Sequence, residues 1–219
     1  MRKIKHTVIS EDLATYIDKH RFDAGDTLLK ELREETWAAL PDWAGMQIPG
    51  DQGAFLTSLV AAMGARLVVE IGTFTGTSAI CIARGLPAGG HLHCFDISDE
   101  FTSIARRYWK KAGLDNRITL HLGPATELLG QLPDQEIDFA FLDADKTGYA
   151  GYFEALLPRM RKNGLIAFDN AFRSGRVLDA NPDDDSKAIN ALNQKLARDP
   201  RVQASLLTIG DGILLARKL

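Results

Sequence analysis

Two short stretches carry carboxylates where chemistry could use them. Asp143-Ala144-Asp145-Lys146 follows one apolar run, 137–142, and Asp169-Asn170 follows another, 164–168. If both runs are adjacent parallel strands, Asp143 stands beside the Asp169-Asn170 pair at one rim of a sheet. Two carboxylates and an amide oxygen form a hard, all-oxygen donor set, suited to Mg²⁺ or a Ca²⁺-like ion and not to zinc. Without a cation, carboxylates that close repel, and one is pushed toward protonation. Spacing alone leaves a plain alternative open, in which these are ordinary rim acids in separate loops.

A second group lies earlier. Leu67-Val68-Val69-Glu70-Ile71 is short, apolar and β-branched, and Gly72-Thr73-Phe74-Thr75-Gly76-Thr77-Ser78 follows at once. Two glycines four apart let the backbone turn tightly and approach a ligand, and a following helix start offers free N–H groups to an anion. The dinucleotide pattern G-x-G-x-x-G is absent, which speaks against a nicotinamide enzyme. Asp96 ends the next apolar run, 26 residues after Glu70. An acid at that point can accept hydrogen bonds from both ribose hydroxyls of an adenosine. Each feature has a bland counterpart, a simple loop closure or an exposed aspartate, but together they favour nucleoside binding. His91, His93 and His121 lie in or beside strands at no metal-ligand spacing and read as structural. No G-x-S-x-G elbow or Cys/His pairing supports nucleophilic catalysis.

These residues need elements to position them. Strand-like runs at 67–71, 91–96, 118–122, 137–142 and 164–168 alternate with helical patterns such as Phe101, Ile104, Ala105 and Tyr108. That alternation predicts a mainly parallel sheet with helices on both faces, and ligands in such sheets bind outside the carboxyl ends of the strands. Two last strands, 202–209 and 212–217, joined at Gly210-Asp211, predict one antiparallel strand near an edge. Asn181-Pro182-Asp183-Asp184-Asp185 precedes a helix carrying Ile189, Leu192 and Leu196, and reads as a cap. Residues 1–45 read as helices, with Leu13 and Ile17 on one face and Leu28, Leu29 and Leu32 on another.

Bulk properties narrow the class. The 219 residues suit a single domain, 1–219, with 1–45 as its helical extension. With 26 basic and 29 acidic side chains, the formal charge of -3 gives no footprint for nucleic acid or an anionic membrane. The basic start, Met1-Arg2-Lys3-Ile4-Lys5-His6, has no apolar stretch behind it and is no secretory signal. No window approaches about 18 uninterrupted apolar residues, so no bilayer span is expected. Cys81 and Cys94 read as buried free thiols, in keeping with a cytoplasmic protein.

In this setting the chain resembles the cation-dependent class I S-adenosylmethionine (SAM) O-methyltransferases of the caffeoyl-CoA type, whose bacterial members include catechol O-methyltransferases. The resemblance runs from about residue 46 to the C-terminus. Its motifs are Val69-Glu70-Ile71-Gly72-Thr73-Phe74-Thr75-Gly76, Ala105-Arg106-Arg107-Tyr108-Trp109-Lys110-Lys111-Ala112-Gly113, Leu122-Gly123-Pro124-Ala125, Leu142-Asp143-Ala144-Asp145-Lys146, Phe168-Asp169-Asn170 and Ile209-Gly210-Asp211-Gly212.

The resemblance implies a Rossmann-like, doubly wound sheet of seven strands, mostly parallel with one antiparallel, preceded by N-terminal helices. Asp143, Asp169 and Asn170 are implied as ligands of a divalent cation, Mg²⁺ first, with Ca²⁺ or Mn²⁺ as alternatives. Glu70, Gly72, Thr73, Ser78, Asp96, Ile97, Ala125, Asp143 and Asp145 are implied as SAM contacts, with Met46 and Ile48 in the segment that covers the cofactor. Lys146 matches a lysine beside the reacting oxygen, so Lys146 and Asp143 are the expected catalytic residues.

Departures from the family pattern bear on the acceptor. Gly148 stands where asparagine is common. Ala171-Phe172-Arg173-Ser174-Gly175 replaces a stretch that often carries leucine and tryptophan, so Arg173 brings a charge where an aromatic wall is usual. The stretch 176–186 is shorter than in plant enzymes acting on CoA esters. These departures speak against a CoA thioester acceptor; the expected reaction is methyl transfer from SAM to a hydroxyl of a small catechol-type or vicinal-diol acceptor. A homodimer is also implied by the resemblance. The competing readings are a nicotinamide dehydrogenase, a nucleic-acid methyltransferase and a non-catalytic SAM-binding scaffold. The first two lack their motifs, and the third would have lost a cation ligand or Asp96.

Overall fold

A strand whose successive residues are all buried must be covered on both sides. Leu67–Ile71 is such a strand, four apolar residues and Glu70 buried throughout, and it lies inside the sheet. The computed structural model describes residues 9–132 and 134–219. The basic start, 1–6, lies outside the described residues.

In chain order the elements are α1 (Glu11–His20), α2 (Thr27–Ala39), α3 (Gly50–Met63), β1 (Leu67–Ile71), α4 (Thr77–Gly85), β2 (His91–Asp96), α5 (Asp99–Lys111) and β3 (Ile118–Leu122). They continue with α6 (Ala125–Leu128), β4 (Ile137–Leu142), α7 (Tyr149–Leu156), β5 (Met160–Phe168), α8 (Asp184–Leu196), β6 (Val202–Leu207) and β7 (Ile213–Lys218). The seven strands form one sheet in the order β3-β2-β1-β4-β5-β7-β6. β1 to β5 run parallel, and β7 is antiparallel to both β5 and β6. The chain reverses its direction of winding between β1 and β4, which is where a doubly wound sheet opens a crevice. This is the architecture expected from the sequence.

Alternate residues of each strand feed two cores. Val68, Leu92, Phe139 and Phe141 pack with Leu56, Ile80 and Ile104 on one face. Val69, Ile71, Phe95 and Ala140 pack with Phe153, Ile189 and Leu192 on the other. The acidic run before α8 is a cap, since Asp183 accepts from the backbone N–H of Ser186 at 2.7 Å. Cys81 and Cys94 are buried free thiols. Among the described residues, no helix is long and apolar enough to cross a membrane.

Two features differ from the sequence reading. β5 begins at Met160 because its ladder to β4 resumes across an irregularity between Ile137 and Phe139. Asn163 and Gly164 lie there, with Asn163 at φ 62°, and their polar character hides the start of the strand. The N-terminal helices also do more than cover the domain. The Thr36 hydroxyl of α2 donates to Leu32 O at 2.8 Å and can accept from the Thr75 hydroxyl at 3.0 Å, so α2 braces the glycine turn after β1.

At the end of the sheet away from the crevice, one carboxylate ties three strands together. Asp138 accepts from the backbone N–H groups of Arg66 and Leu67 at 2.7 and 2.9 Å, and from Arg161 Nε at 2.5 Å. Burial works against its charge, but these donors and the Arg161 cation outweigh it and hold its pKa below the usual value. A carboxyl with a depressed folded pKa stabilises fully above its unfolded pKa, and that contribution is lost as pH falls through the folded value. Asp138→Ala should therefore lower stability by about 1–3 kcal/mol at neutral pH. Thermal melts of the two proteins should converge once the pH drops below the carboxylate range. A gap that stays constant into acid would show that the charge of Asp138 contributes nothing.

Candidate active site

The carboxyl ends of β1, β2, β4 and β5 open into one cleft of about 640 Å³. Its floor is the turn after β1. Gly72 has φ +90°, and a Cβ there would sit 2.1 Å from the backbone oxygen of Asp143. Asp96 latches the same turn. One of its oxygens accepts from the N–H groups of Thr73 and Phe74 at 2.9 and 2.8 Å, and the other from Ser98 N at 2.8 Å. Ser98 in turn caps α5 through Phe101 N. Asp96 thus shapes the turn as well as facing the cleft.

Nearly all the residues singled out from the sequence line this cleft. Gly72, Thr73, Ser78, Asp96, Ile97 and Ala125 lie at the β1–β2 half, with Met46 and Ile48 from the segment before α3. Met46 and Ile97 are exposed at its edge, whereas Ile48 and Ala125 are buried. Asp143, Asp145, Lys146, Asp169 and Asn170 lie at the β4–β5 half. Glu70 does not reach the cleft surface. It is wholly buried under the turn, where the Cys94 thiol donates to it at 3.3 Å, and burial pushes its pKa up to about 7. The histidines stay outside the cleft. His93 Nδ1 pairs with His121 Nε2 at 3.0 Å, and His91 Nε2 with Thr119 Oγ1 at 2.8 Å.

The β4–β5 half is built around two acids. Leu142 pairs with Phe168 in the ladder, and Asp169 N donates to Leu142 O at 2.9 Å, so the next residues, Asp143 and Asp169, stand side by side. Burial raises the pKa of both carboxyls, and the neighbouring acid adds to the rise at Asp169. Lys146 counters this by donating from Nζ to Asp143 Oδ1 at 2.9 Å. The same ammonium donates to the Tyr149 hydroxyl at 2.8 Å, and Tyr149 donates to Leu142 O at 2.9 Å. Two of the three Lys146 donors are thus committed, leaving one.

Sequence reasoning missed several residues here. Asp211, in the β6–β7 turn, accepts from Asn170 Nδ2 at 3.3 Å through one oxygen and from Ser174 N at 2.6 Å through the other. It thereby orients the Asn170 amide and leaves the side-chain oxygen of Asn170 for another partner. Gln52, buried on α3, lies against Asp169 and eases its charge, yet neither of its amide atoms is hydrogen-bonded. Tyr152 donates to Asp145 Oδ1 at 2.7 Å. A Cβ on Gly148 would lie 2.3 Å from Asp145 Oδ2, so this glycine makes room for Asp145.

Two ligand classes suit these halves. The Thr73 side chain interacts with buried Glu70 and Cys94, so the cleft face of the first half is set by the Asp96 carboxylate beside Gly72 and Ser78. A polar ligand with hydroxyls fits that carboxylate. In the second half, two acids, Asp169 buried and Asp143 largely so, and an amide oxygen could hold a hard cation. Among the described residues no three His, Cys, Asp or Glu side chains converge as a metal site; this set reaches three donors only by counting Asn170.

The sheet order, the glycine turn and the paired acids define a methyltransferase-type α/β fold with a two-part cleft. A profile of the O-methyltransferase family matches residues 20–219, and the chain belongs to that family. It is 42% identical over 180 residues to the Dictyostelium discoideum "Probable caffeoyl-CoA O-methyltransferase 2", covering 80% of this chain and 78% of that one. It is 37% identical over 230 residues to caffeoyl-CoA O-methyltransferase 2 of Zea mays, covering 98% and 86%. The crystal structure of the O-methyltransferase from Bacillus cereus in complex with SAH superposes with a TM-score of 0.87 at 31% identity, covering 95% of this chain and 97% of that one.

Gly72→Ala tests the turn. The added methyl meets backbone at 2.1 Å in a left-handed conformation, whereas a methyl added at Gly113, at φ +67°, would meet nothing within 4 Å. Gly113→Ala should cost only about 1 kcal/mol. Gly72→Ala should cost more and lower the melting temperature by roughly 5 °C or more, with loss of SAH binding by calorimetry. Equal melting temperatures for the two variants would mean that the close approach at Gly72 is not a constraint.

Proposed function

We propose that this O-methyltransferase moves a methyl group from SAM to one hydroxyl of a small catechol-type or vicinal-diol acceptor, with a divalent cation, Mg²⁺ first, in the β4–β5 half of the cleft. The observation that carries the reading is the side-by-side placement of Asp143 and Asp169 on the cleft wall, next to the oriented Asn170 amide. The B. cereus relative was solved with SAH, which supports SAM as the donor. The Asp96 carboxylate at the cleft supports a nucleoside with ribose hydroxyls in the β1–β2 half.

SAM supplies a methyl group on a sulfonium, so transfer is an in-line displacement by an acceptor oxygen. A phenol has a pKa near 10 and is little ionised at neutral pH; a divalent cation supplies charge that lowers it and a template for two neighbouring oxygens.

The protein's own groups do the rest. Asp143, Asp169 and Asn170 would hold the cation, and Asp96 would hold the ribose while keeping the turn closed. Ala125 would lie near the adenine, Met46 and Ile48 would cover the cofactor, and Ile97 would add apolar surface beside it. The remaining Lys146 N–H is available to an acceptor oxygen, either to stabilise its negative charge or, after proton loss, to take up its proton. Tyr149 and Asp143 fix the ammonium in place for that role. Holding both reactants in attack geometry contributes a large further share.

Treatment with a chelator should abolish turnover, and Mg²⁺ should restore it, while SAH affinity measured by calorimetry barely changes. Asp169→Ala should reduce kcat by about 100-fold or more with the same retained SAH affinity. Full turnover in metal-free enzyme would reject the cation role. Lys146→Met should lower kcat by a comparable factor and alter the pH–rate profile; an active variant with the wild-type profile would remove Lys146 from the chemistry.

A further inference from the structure

The acceptor end of the cleft holds a second cation that neither methyl transfer nor cation binding uses. Arg173 lines the cleft together with Lys146, Asp169 and Asn170. Its side chain is only 17% exposed. Its Nη2 lies 3.3 Å from Asp185 Oδ2 and 3.8 Å from Asp183 Oδ2, and both acids are 45% exposed. Pairs with partners that wet are screened and contribute little. The Nε of Arg173 is buried and has no partner at all. The protein therefore leaves a largely buried guanidinium incompletely satisfied, although an unmade charged hydrogen bond is costly. A guanidinium matches a carboxylate in shape and charge better than any other side chain does.

The backbone holds Arg173 there against its preference. Arg173 has φ +49°, and Ser174 and Gly175 continue the left-handed run at φ 54° and 86°. Bulky residues rarely adopt that region, and strain of this kind gathers at ligand-binding segments. The Ser174 N–H is held by Asp211, which also orients Asn170. Arg173 is thus mounted on the same support as the candidate cation site, three residues from Asn170.

We propose that Arg173 forms a carboxylate subsite at the acceptor end, so that the favoured diol carries its own carboxylate on or near the ring, as a dihydroxybenzoate or a free hydroxycinnamic acid does. The proposal rests on the diol-methylation reading above. A CoA ester is a poorer match, because its phosphates lie a whole pantetheine arm away from the catechol ring.

The test compares kcat/KM for 3,4-dihydroxybenzoate with that for its methyl ester, which has the same diol and no charge. Caffeate and caffeoyl-CoA run in parallel, all with SAM and Mg²⁺. The wild-type enzyme should prefer the acid about 10-fold or more, mainly through KM. Arg173→Gln should bring the ratio close to unity, and Arg173→Lys should keep part of it. Asp185→Asn, which frees the guanidinium from its nearest partner, should raise the ratio, and this arm holds even if Arg173→Gln fails to fold. A wild-type ratio near one, an unchanged ratio in Arg173→Gln, or caffeoyl-CoA outrunning both acids would overturn the subsite. If the ester is methylated and the acid is not preferred, the subsite alone falls. If no diol is methylated, the diol reading falls with it.

Discussion

The site depends on the register between two parallel strands. Because Leu142 faces Phe168, the residues that leave β4 and β5 are Asp143 and Asp169, set side by side on the wall of the cleft with little exposure. Like charges that close cannot both ionise without help. The surrounding structure reads as a response to that constraint. Lys146 returns from the following turn to pair with Asp143, Tyr149 holds Lys146, and Gln52 lies against Asp169. Each of these groups eases the charge without cancelling it, and that residual demand is what a bound divalent ion would meet.

A second constraint acts on the backbone after β5. Asn170, Arg173 and Ser174 all have positive φ. Asparagine tolerates that region, but for arginine and serine it costs about 1 kcal/mol or more each. Asp211 offsets this strain with its side chain and its backbone oxygen, since Phe172 N also donates to Asp211 O at 3.0 Å. The antiparallel β7, whose turn carries Asp211, is thereby tied to the site as well as to the sheet edge. A change in the β6–β7 turn would be felt at Asn170 without touching any cleft surface.

Most of the fold is legible in the sequence because burial pattern and strand period agree. β1 to β4 fall on the strand-like runs of the sequence, and the parallel sheet follows from the alternation of strands and helices. The strand order that places the reversal of winding between β1 and β4 comes from the structure. The acids at the strand tips are legible for the same reason: once the strands are placed, the residues after them are placed too. What stays hidden depends on contacts between segments far apart in sequence. Asp211 looks like an ordinary turn aspartate, and only the approach of the β7 turn to the end of β5 makes it a clamp. Gln52 follows Asp51 in the first turn of α3 and looks like another polar residue of a helix start, a signal that gains meaning only beside Asp169. Thr36 braces Thr75 from the helical extension, and no local pattern announces such a bond. Asp96 reads from sequence as facing a ribose, but its hold on the Thr73 and Phe74 N–H groups depends on how the turn folds back over β2.

The two halves of the cleft are built on different principles, and this separates what can vary from what cannot. The β1–β2 half is formed by backbone: a glycine that admits no side chain, N–H groups satisfied by Asp96, and a turn pinned by α2. Substitutions there disturb the sheet itself. At the β4–β5 half, the paired acids are equally fixed, since strand register places them. Beyond those acids the cleft is lined by Arg173, on a segment held by left-handed residues and by ion pairs with exposed acids. Such a segment can exchange an aromatic wall for a guanidinium while Asp211 keeps Asn170 in place. The two halves of the cleft can therefore diverge independently within one sheet, and the departure at Arg173 falls on the half whose supporting segment is free to change.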